Sequence, residues 1–300
     1  MRARVWGCRG SLPAPGPETV RYGGNTSCVE VRVDEGTAIV LDAGSGMRPL
    51  GHSLAAEGID VVHVLLTHLH LDHLQGLAFF LPFWSGDTEL HIWGPPSPTY
   101  SLAERVASYV SPPLFPIPLS DVPSRPVFHD VPDEPWMIGS TTVEGHAVVH
   151  QGPTMGFRLT AHARTLAYIP DHEPSLGVDL RRVEREWMSG YRVAQGADVL
   201  MHDTQYAEVE YDDHVGWGHS SVDHAATFAA AAEVDRLVMF HHDPGHSDAE
   251  LESMLVTARA TWTGDVAPVL AAEGMVIDLD AAGVTVDDSA VPAAAVPSPD

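Results

Sequence analysis

A layered α/β fold is what this 300-residue chain predicts. Short β-branched segments alternate with helical stretches along its length, most of them bounded by Gly, Pro or Asn. One segment, Ile59 to Thr67, is an almost unbroken apolar run of the kind found in strands buried on both faces. No linker rich in Gly, Pro or Ser divides the chain. One domain over 1–288 is therefore the economical reading, followed by an Ala/Pro-rich tail over 289–300 that is expected to be disordered.

The elements follow in order. Met1 to Trp6, Ser27 to Val33 and Ala38 to Leu41 read as strands, and Ile59 to Thr67 as the buried one. A helix is expected from about Gln75 and a second over Ser101 to Val110. Thr141 to Val149, Met155 to Thr160 and Thr165 to Ile169 read as three successive strands. Leu180 to Ser189 has the charge pattern of an amphipathic helix. Asp198 to Met201 is a short strand, Val222 to Ala232 an Ala-rich helix and Arg236 to Phe240 a strand. Asp248 to Trp262 is a late helix made of good helix formers.

Composition narrows the function. Asp and Glu number 41 against 16 Arg and no Lys, a net charge of −25. Sequence-independent binding to nucleic acid rests on basic side chains that displace counterions, so a large nucleic-acid footprint is disfavoured, as is an anionic membrane. No apolar run reaches 18 residues, and the N-terminus lacks an apolar secretory core. A cytoplasmic location is expected. Cys8 and Cys28 form no disulfide framework and read as core residues.

Histidine is the outlying count, with 18 residues. Imidazole and carboxylate are the donors that zinc and similar divalent ions prefer. The loop after the buried strand carries His68, His70, Asp72 and His73 within six residues. His150, Asp171 and His241 each follow a predicted strand as well. A rigid sheet holds strand-end side chains accurately. These seven donors suffice for two metals that share one carboxylate. His146, on the same strand face as His150, is a rival ligand, and His242 is a rival of His241.

The pattern His-x-His-x-Asp-His, followed by separate His, Asp and His motifs, resembles that of the metallo-β-lactamase superfamily over roughly residues 1 to 280. The resemblance implies a four-layer αβ/βα sandwich, two mixed β-sheets flanked by helices with metals at one edge. It implies that His68, His70 and His150 hold one ion, that Asp72, His73 and His241 hold the other, and that Asp171 bridges them. It also implies that Asp42 supports the site from behind. Zinc is the first expectation, with manganese or iron also suited to these donors. Within the superfamily, Gly23-Gly24-Asn25-Thr26-Ser27, His202-Asp203-Thr204-Gln205-Tyr206 and Gly218-His219-Ser220-Ser221 resemble motifs of the ribonuclease Z-like phosphodiesterases. Only 20 residues lie between His150 and Asp171, which leaves no room for that group's tRNA-binding arm.

The expected function is a dinuclear metal-dependent hydrolase that cleaves a small phosphodiester, such as a cyclic nucleotide. Asp72 would accept the proton of the attacking water. His219, oriented by Asp203, would protonate the leaving group. Arg9, Asn25 and Thr26, in turns expected near the metals, would contact the substrate. The alternatives are a ribonuclease Z-type tRNA 3′-end endonuclease and a non-catalytic carrier of the same fold. A homodimer is compatible with the resembling group.

Overall fold

The computed structural model describes residues 1–289, 291 and 292. The chain begins with strands β1 (Arg2–Gly7), β2 (Cys28–Arg32) and β3 (Thr37–Leu41), then helix α1 (Met47–Glu57). Strands β4 (Val61–Leu65) and β5 (Glu89–Gly94), helix α2 (Leu102–Tyr109) and strand β6 (Val127–Asp130) complete the first half. The second half opens with β7 (Trp136–Ile138), β8 (Thr141–Ala147), β9 (Met155–Ala161) and β10 (Arg164–Ile169). It continues through α3 (Tyr191–Ala194), β11 (Val199–Asp203), α4 (Glu208–Tyr211), α5 (Val222–Ala231), β12 (Arg236–Phe240) and α6 (Asp248–Thr261). Strand β13 (Val269–Leu270) ends that sheet, and β14 (Val276–Asp280) and β15 (Gly283–Asp287) return to the first.

Two mixed sheets result. The first runs β15-β14-β1-β2-β3-β4-β5-β6 and the second β13-β12-β11-β10-β9-β8-β7. Strands β3 to β6 are mutually parallel, as are β10 to β13; the remaining pairs are antiparallel. Side-chain alternation sorts each central strand between two cores. On β3, Ile39 and Leu41 join the core that includes the second sheet, whereas Ala38 and Val40 join Leu50 and Leu54 of α1. Helices α5 and α6 cover the far face of the second sheet with Ala225, Phe228, Leu251 and Met254. Helix, sheet, sheet, helix is the four-layer sandwich expected from the sequence. No described helix is long and apolar enough to cross a membrane. Cys8 and Cys28 are both buried and free.

Two expected helices do not form. From Gln75 the chain makes two 3₁₀ turns, Leu77–Phe79 and Leu81–Trp84, joined at Phe80 in an extended conformation. Pro82 has no amide hydrogen to continue a helix from Gln75 and is accommodated in the first turn of the second segment, where that donor is not needed. Gly76 sits so close to Gly44 that an added Cβ would lie 1.9 Å from the Gly44 carbonyl oxygen. This backbone contact, with Phe80 and Phe83 fully buried, fixes the segment that follows the metal-type loop. Over Leu180–Ser189 the chain likewise makes two isolated turns, Leu180–Arg182 and Arg185–Trp187. Only Leu180 is buried within them, so there is no apolar stripe to hold a helix. The predicted tail at 289–300 falls mostly outside the described residues; Val291 is partly buried against the core.

Candidate active site

The carboxyl ends of β3, β4, β10, β11 and β12 converge on one edge of the sandwich, the position where open α/β sheets place their ligands. The loop after β4 supplies His68, His70, Asp72 and His73. Asp171 follows β10, Asp203 ends β11 and His241 follows β12. His150 arrives from the loop after β8. Asp42 and His241, each directly after its strand, have left-handed backbones with φ of 60°. For non-glycine residues this is strained, and it turns both side chains out of the strand register toward the cleft.

The structure brings all seven predicted His and Asp ligands together, in two groups that meet at Asp171. In the first, Asp171 Oδ1 lies 3.0 Å from His73 Nε2 and 3.2 Å from His241 Nε2. Asp72 Oδ2 lies 3.3 Å from each of the same two nitrogens. In the second, Asp171 Oδ2 lies 3.7 Å from His68 Nε2 and 3.5 Å from His150 Nε2, and His150 Nε2 lies 3.2 Å from His70 Nδ1. One carboxylate thus turns an oxygen to each group.

These donors fit divalent ions. Bonds of about 2.0–2.1 Å in a tetrahedral arrangement put neighbouring ligand atoms roughly 3.3 Å apart, near the spacings observed. His68 Nε2 and Asp171 Oδ1 are buried without an aligned hydrogen bond. A lone pair that faces other lone pairs in a buried site is costly unless a cation lies between them. The charge balance agrees. Burial opposes ionisation of Asp72 and Asp171, yet the surrounding imidazoles hold both well below the usual carboxylate range. Burial also opposes charge on His73, but Asp171, Asp72 and Asp42 raise it well above its ordinary value. With protein groups alone, a proton on His73 balances carboxylates that a metal would otherwise neutralise. Burial keeps His68, His70 and His150 below the ordinary imidazole value, in the neutral form a metal requires.

Hydrogen bonds behind the imidazoles orient them. Buried Asp42 accepts from Thr67 N at 2.8 Å and Tyr168 OH at 3.0 Å, and its Oδ2 lies 2.8 Å from His73 Nδ1. His241 Nδ1 lies 3.0 Å from Gln205 Oε1, and His150 Nδ1 lies 2.7 Å from the Gly218 carbonyl oxygen. In each case the Nδ1–H donates and Nε2 keeps its lone pair for the cleft. His242 turns away, with Nε2 2.9 Å from the Ala271 carbonyl oxygen. His146 sits beside Glu144 and outside both groups.

His219 stands next to the donors, its ring centroid 5.0 Å from that of His241 and 4.9 Å from that of His150. Its Nδ1 lies 2.7 Å from Asp203 Oδ2. Asp203 is fully buried and is itself fixed by amides, accepting from His172 N at 3.0 Å and Gln205 N at 2.9 Å. Burial opposes charge on His219, but Asp203 outweighs it and His219 is raised to about 9.

The expected substrate contacts are corrected. Arg9 is fully buried, and its guanidinium donates to the carbonyl oxygens of Gly23, Asp243 and His246. Asn25 is tied to Glu273 and Ser45. Thr26 Oγ1 is buried and donates to the Asp72 carbonyl oxygen at 2.7 Å. Arg9 and Thr26 thus brace the turns around the cleft, and the Asn25 side chain is held within the same turns. Sequence reasoning gave no role to three further groups. Ser11 N donates to Asp72 Oδ2 at 2.7 Å, Gln205 holds His241, and buried Glu173 accepts from Gly216 N and Gly218 N. Glu173 and Gln205 each lie two residues past a predicted site carboxylate, which was the available signal.

Residues 37–242 match the family model described as the β-lactamase superfamily domain. A ribonuclease Z from Myxococcus xanthus is 27% identical over 260 residues, covering 74% of this chain and 82% of its own. The crystal structure of the metallo-β-lactamase fold protein YhfI from Bacillus subtilis superposes with a TM-score of 0.67 at 19% identity, over 92% of this chain and 99% of that one. A diphosphatase from the PhnP family superposes with a TM-score of 0.63 at 17% identity, over 93% and 98%. With the two sheets and the His/Asp cleft described above, the match over residues 37–242 makes the chain a member of the β-lactamase superfamily, with the metallo-β-lactamase fold.

Proposed function

We propose that the protein is a dinuclear metal-dependent phosphodiesterase that hydrolyses a small phosphodiester such as a cyclic nucleotide. The observation that carries this reading is the Asp203–His219 pair, 2.7 Å apart and beside the ligand groups. Phosphodiester cleavage must protonate an alkoxide leaving group, and a carboxylate-held imidazole at the edge of the cleft can do so.

In this reading His68, His70 and His150 would hold one ion and Asp72, His73 and His241 the other, with Asp171 placed to serve either group. Two divalent ions, zinc by preference for this donor set, supply Lewis acidity to the phosphoryl oxygen and acidify the attacking water. Asp72 takes up the proton that the water loses, while the Ser11 amide steadies its Oδ2. The water oxygen bonds to phosphorus, the P–O ester bond breaks, and His219 gives its Nε2 proton to the departing oxygen. Asp203 then holds the neutral imidazole through its Nδ1–H until Nε2 is reprotonated from solvent.

The small size of the substrate is argued from charge and loop length. The net charge of −25 without a lysine offers no broad cationic surface to a folded RNA. Between His150 and Asp171 the chain makes only the β9–β10 hairpin, closed by His162 and Ala163, both with positive φ. A second reading, tRNA 3′-end cleavage, is favoured by the relatives named ribonuclease Z. The test is kcat/KM for 3′,5′- and 2′,3′-cyclic nucleotides against precursor tRNA, in one metal-loaded preparation. Turnover of at least one cyclic nucleotide with little tRNA processing supports the first reading. Specific tRNA cleavage without cyclic-nucleotide turnover replaces it with the second. Inactivity on every phosphodiester leaves a metal-binding carrier.

A further inference from the structure

Trp217 is 60% exposed, yet its segment of backbone is closely held. It lies between two glycines whose amides both donate to Glu173, a fully buried carboxylate. Gly216 N is 2.8 Å from Glu173 Oε1, and Gly218 N is 2.7 Å from Oε2. Tyr211 OH donates to the same Oε1 at 2.8 Å. Gln151 Nε2 donates to the Gly216 carbonyl oxygen at 2.5 Å, and Trp217 N donates to the His214 carbonyl oxygen at 3.0 Å. The φ values of 85° at Gly216 and 90° at Gly218 let two amides one residue apart point at one carboxylate.

The held segment belongs to the wall of the cleft. The Gly218 carbonyl oxygen accepts from His150, and a Cβ added to Gly218 would lie 2.4 Å from His150 Nδ1. His219 is the next residue. From His219 an aromatic series leads outward to Trp217. Tyr206 meets His219 edge-on at 6.0 Å, His214 stacks on Tyr206 at 4.4 Å, and Trp217 packs edge-on against His214 at 4.8 Å. The indole is therefore placed by its neighbours while it remains open to solvent.

An exposed indole fixed in this way loses little conformational entropy when a flat ring stacks on it. It stands two residues from the group that would protonate the leaving oxygen, on the same held segment of the cleft wall. Asp212 and Asp213, both exposed nearby, disfavour an anionic occupant of this rim and leave a neutral aromatic one. Resting on the phosphodiesterase reading, we propose that Trp217 is the stacking surface for the nucleobase of a nucleotide substrate, and that Glu173 is the residue that positions it.

The test is a binding measurement on the full-length, metal-loaded chain. Calorimetry gives Kd for adenosine 5′-monophosphate and for ribose 5-phosphate, which share the phosphate and sugar and differ in the base. The wild type is expected to prefer the base-bearing ligand by about tenfold or more, the usual worth of one base–aromatic stack. Trp217→Ala should abolish most of that preference and Trp217→Phe should keep most of it, with circular dichroism and metal content as controls of folding. An unchanged preference in Trp217→Ala overturns the proposal. So does a loss of self-association in Trp217→Ala, which would assign the indole to a contact between copies of this chain. Because binding is read without turnover, a wild type that prefers the base but hydrolyses no phosphodiester overturns the enzymatic reading and leaves the stacking surface standing.

Discussion

The two halves of the ligand cleft use the same residue types and are built differently. Asp72, His73 and His241, with Asp171, are all buried, whereas in the other half His70 is exposed beside the buried side chains of His68, His150 and Asp171. In the inner half the three donors other than the shared Asp171 are each steadied from behind: His73 by Asp42, His241 by Gln205 and Asp72 by the Ser11 amide. In the outer half His150 rests on a backbone carbonyl and His68 on Thr67 Oγ1, while His70 makes its polar contact with the imidazole of His150. Preorganised ligands bind more tightly because less freedom is lost on binding. The inner half should therefore hold its ion more firmly, and the outer half should exchange its ion and admit substrate.

Asp171 is the one side chain common to both halves, so its removal should produce the largest effect. Asp171→Ala is expected to lower bound metal from two ions per chain toward none and to reduce turnover by about 10⁴-fold or more. His70→Ala should instead lose the outer ion and keep the inner one. Elemental analysis after gel filtration reads both. Equal loss of both ions from His70→Ala would mean that the halves load as a unit, and the comparison would fail.

Next in size is the proton donor. His219→Ala should lower turnover by about 10²–10⁴-fold on an alkyl phosphodiester while metal content stays unchanged. The fall should shrink on bis(p-nitrophenyl) phosphate, whose leaving group hardly needs a proton. A general acid works only when protonated, so turnover of the alkyl ester should decline as pH rises through the pKa of His219. With protein groups alone that value is raised to about 9. Cations held by the adjacent ligand groups would push it down, so the alkaline decline should centre below pH 9. It should be absent with the activated ester and absent in His219→Ala. An equal loss on both esters would leave His219 a structural role only.

The same contrast explains how much the sequence disclosed. Ligands packed into six consecutive residues are legible because their proximity is covalent, and strand-end positions are legible because strands impose a period of two. Arg9, Asn25 and Thr26 illustrate the limit. Their turns do lie against the cleft, as Thr26 on the Asp72 carbonyl oxygen shows, but a turn's position does not say which way its side chains point. Backbone carbonyls at Gly23, Asp243 and His246 claimed the Arg9 guanidinium, and none of those contacts is local in sequence. The absent helix after Gln75 has the same origin. Its composition is helical, but tertiary contact at Gly76 and the ring of Pro82 override it. Strand β14 went unread because its partner β1 lies at the opposite end of the chain, where Arg2 pairs with Asp278, and β15 is the hairpin return that pairs with β14 alone.

The smallest effects expected are inside the inner half, and they separate a charged support from a neutral one. His73 leans on the carboxylate of Asp42, His241 on the amide oxygen of Gln205. Both fix the tautomer that leaves Nε2 free, but only the carboxylate also makes the imidazole a stronger donor through charge. Asp42 further ties Thr67 and Tyr168, so its loss frees the start of the metal-type loop as well. Asp42→Asn should therefore weaken inner-site affinity by up to about 100-fold, and Gln205→Ala by about tenfold, the two ends of the range for such supports. Competition with a zinc chelator of known affinity measures both. Asn keeps a single acceptor oxygen and cannot accept from both Thr67 N–H and His73 Nδ1–H, so the Asp42→Asn value combines the lost charge with one reversed hydrogen bond. If Gln205→Ala proves as damaging as Asp42→Asn, the orientation of the imidazoles outweighs their charge support in setting how tightly the inner ion is held.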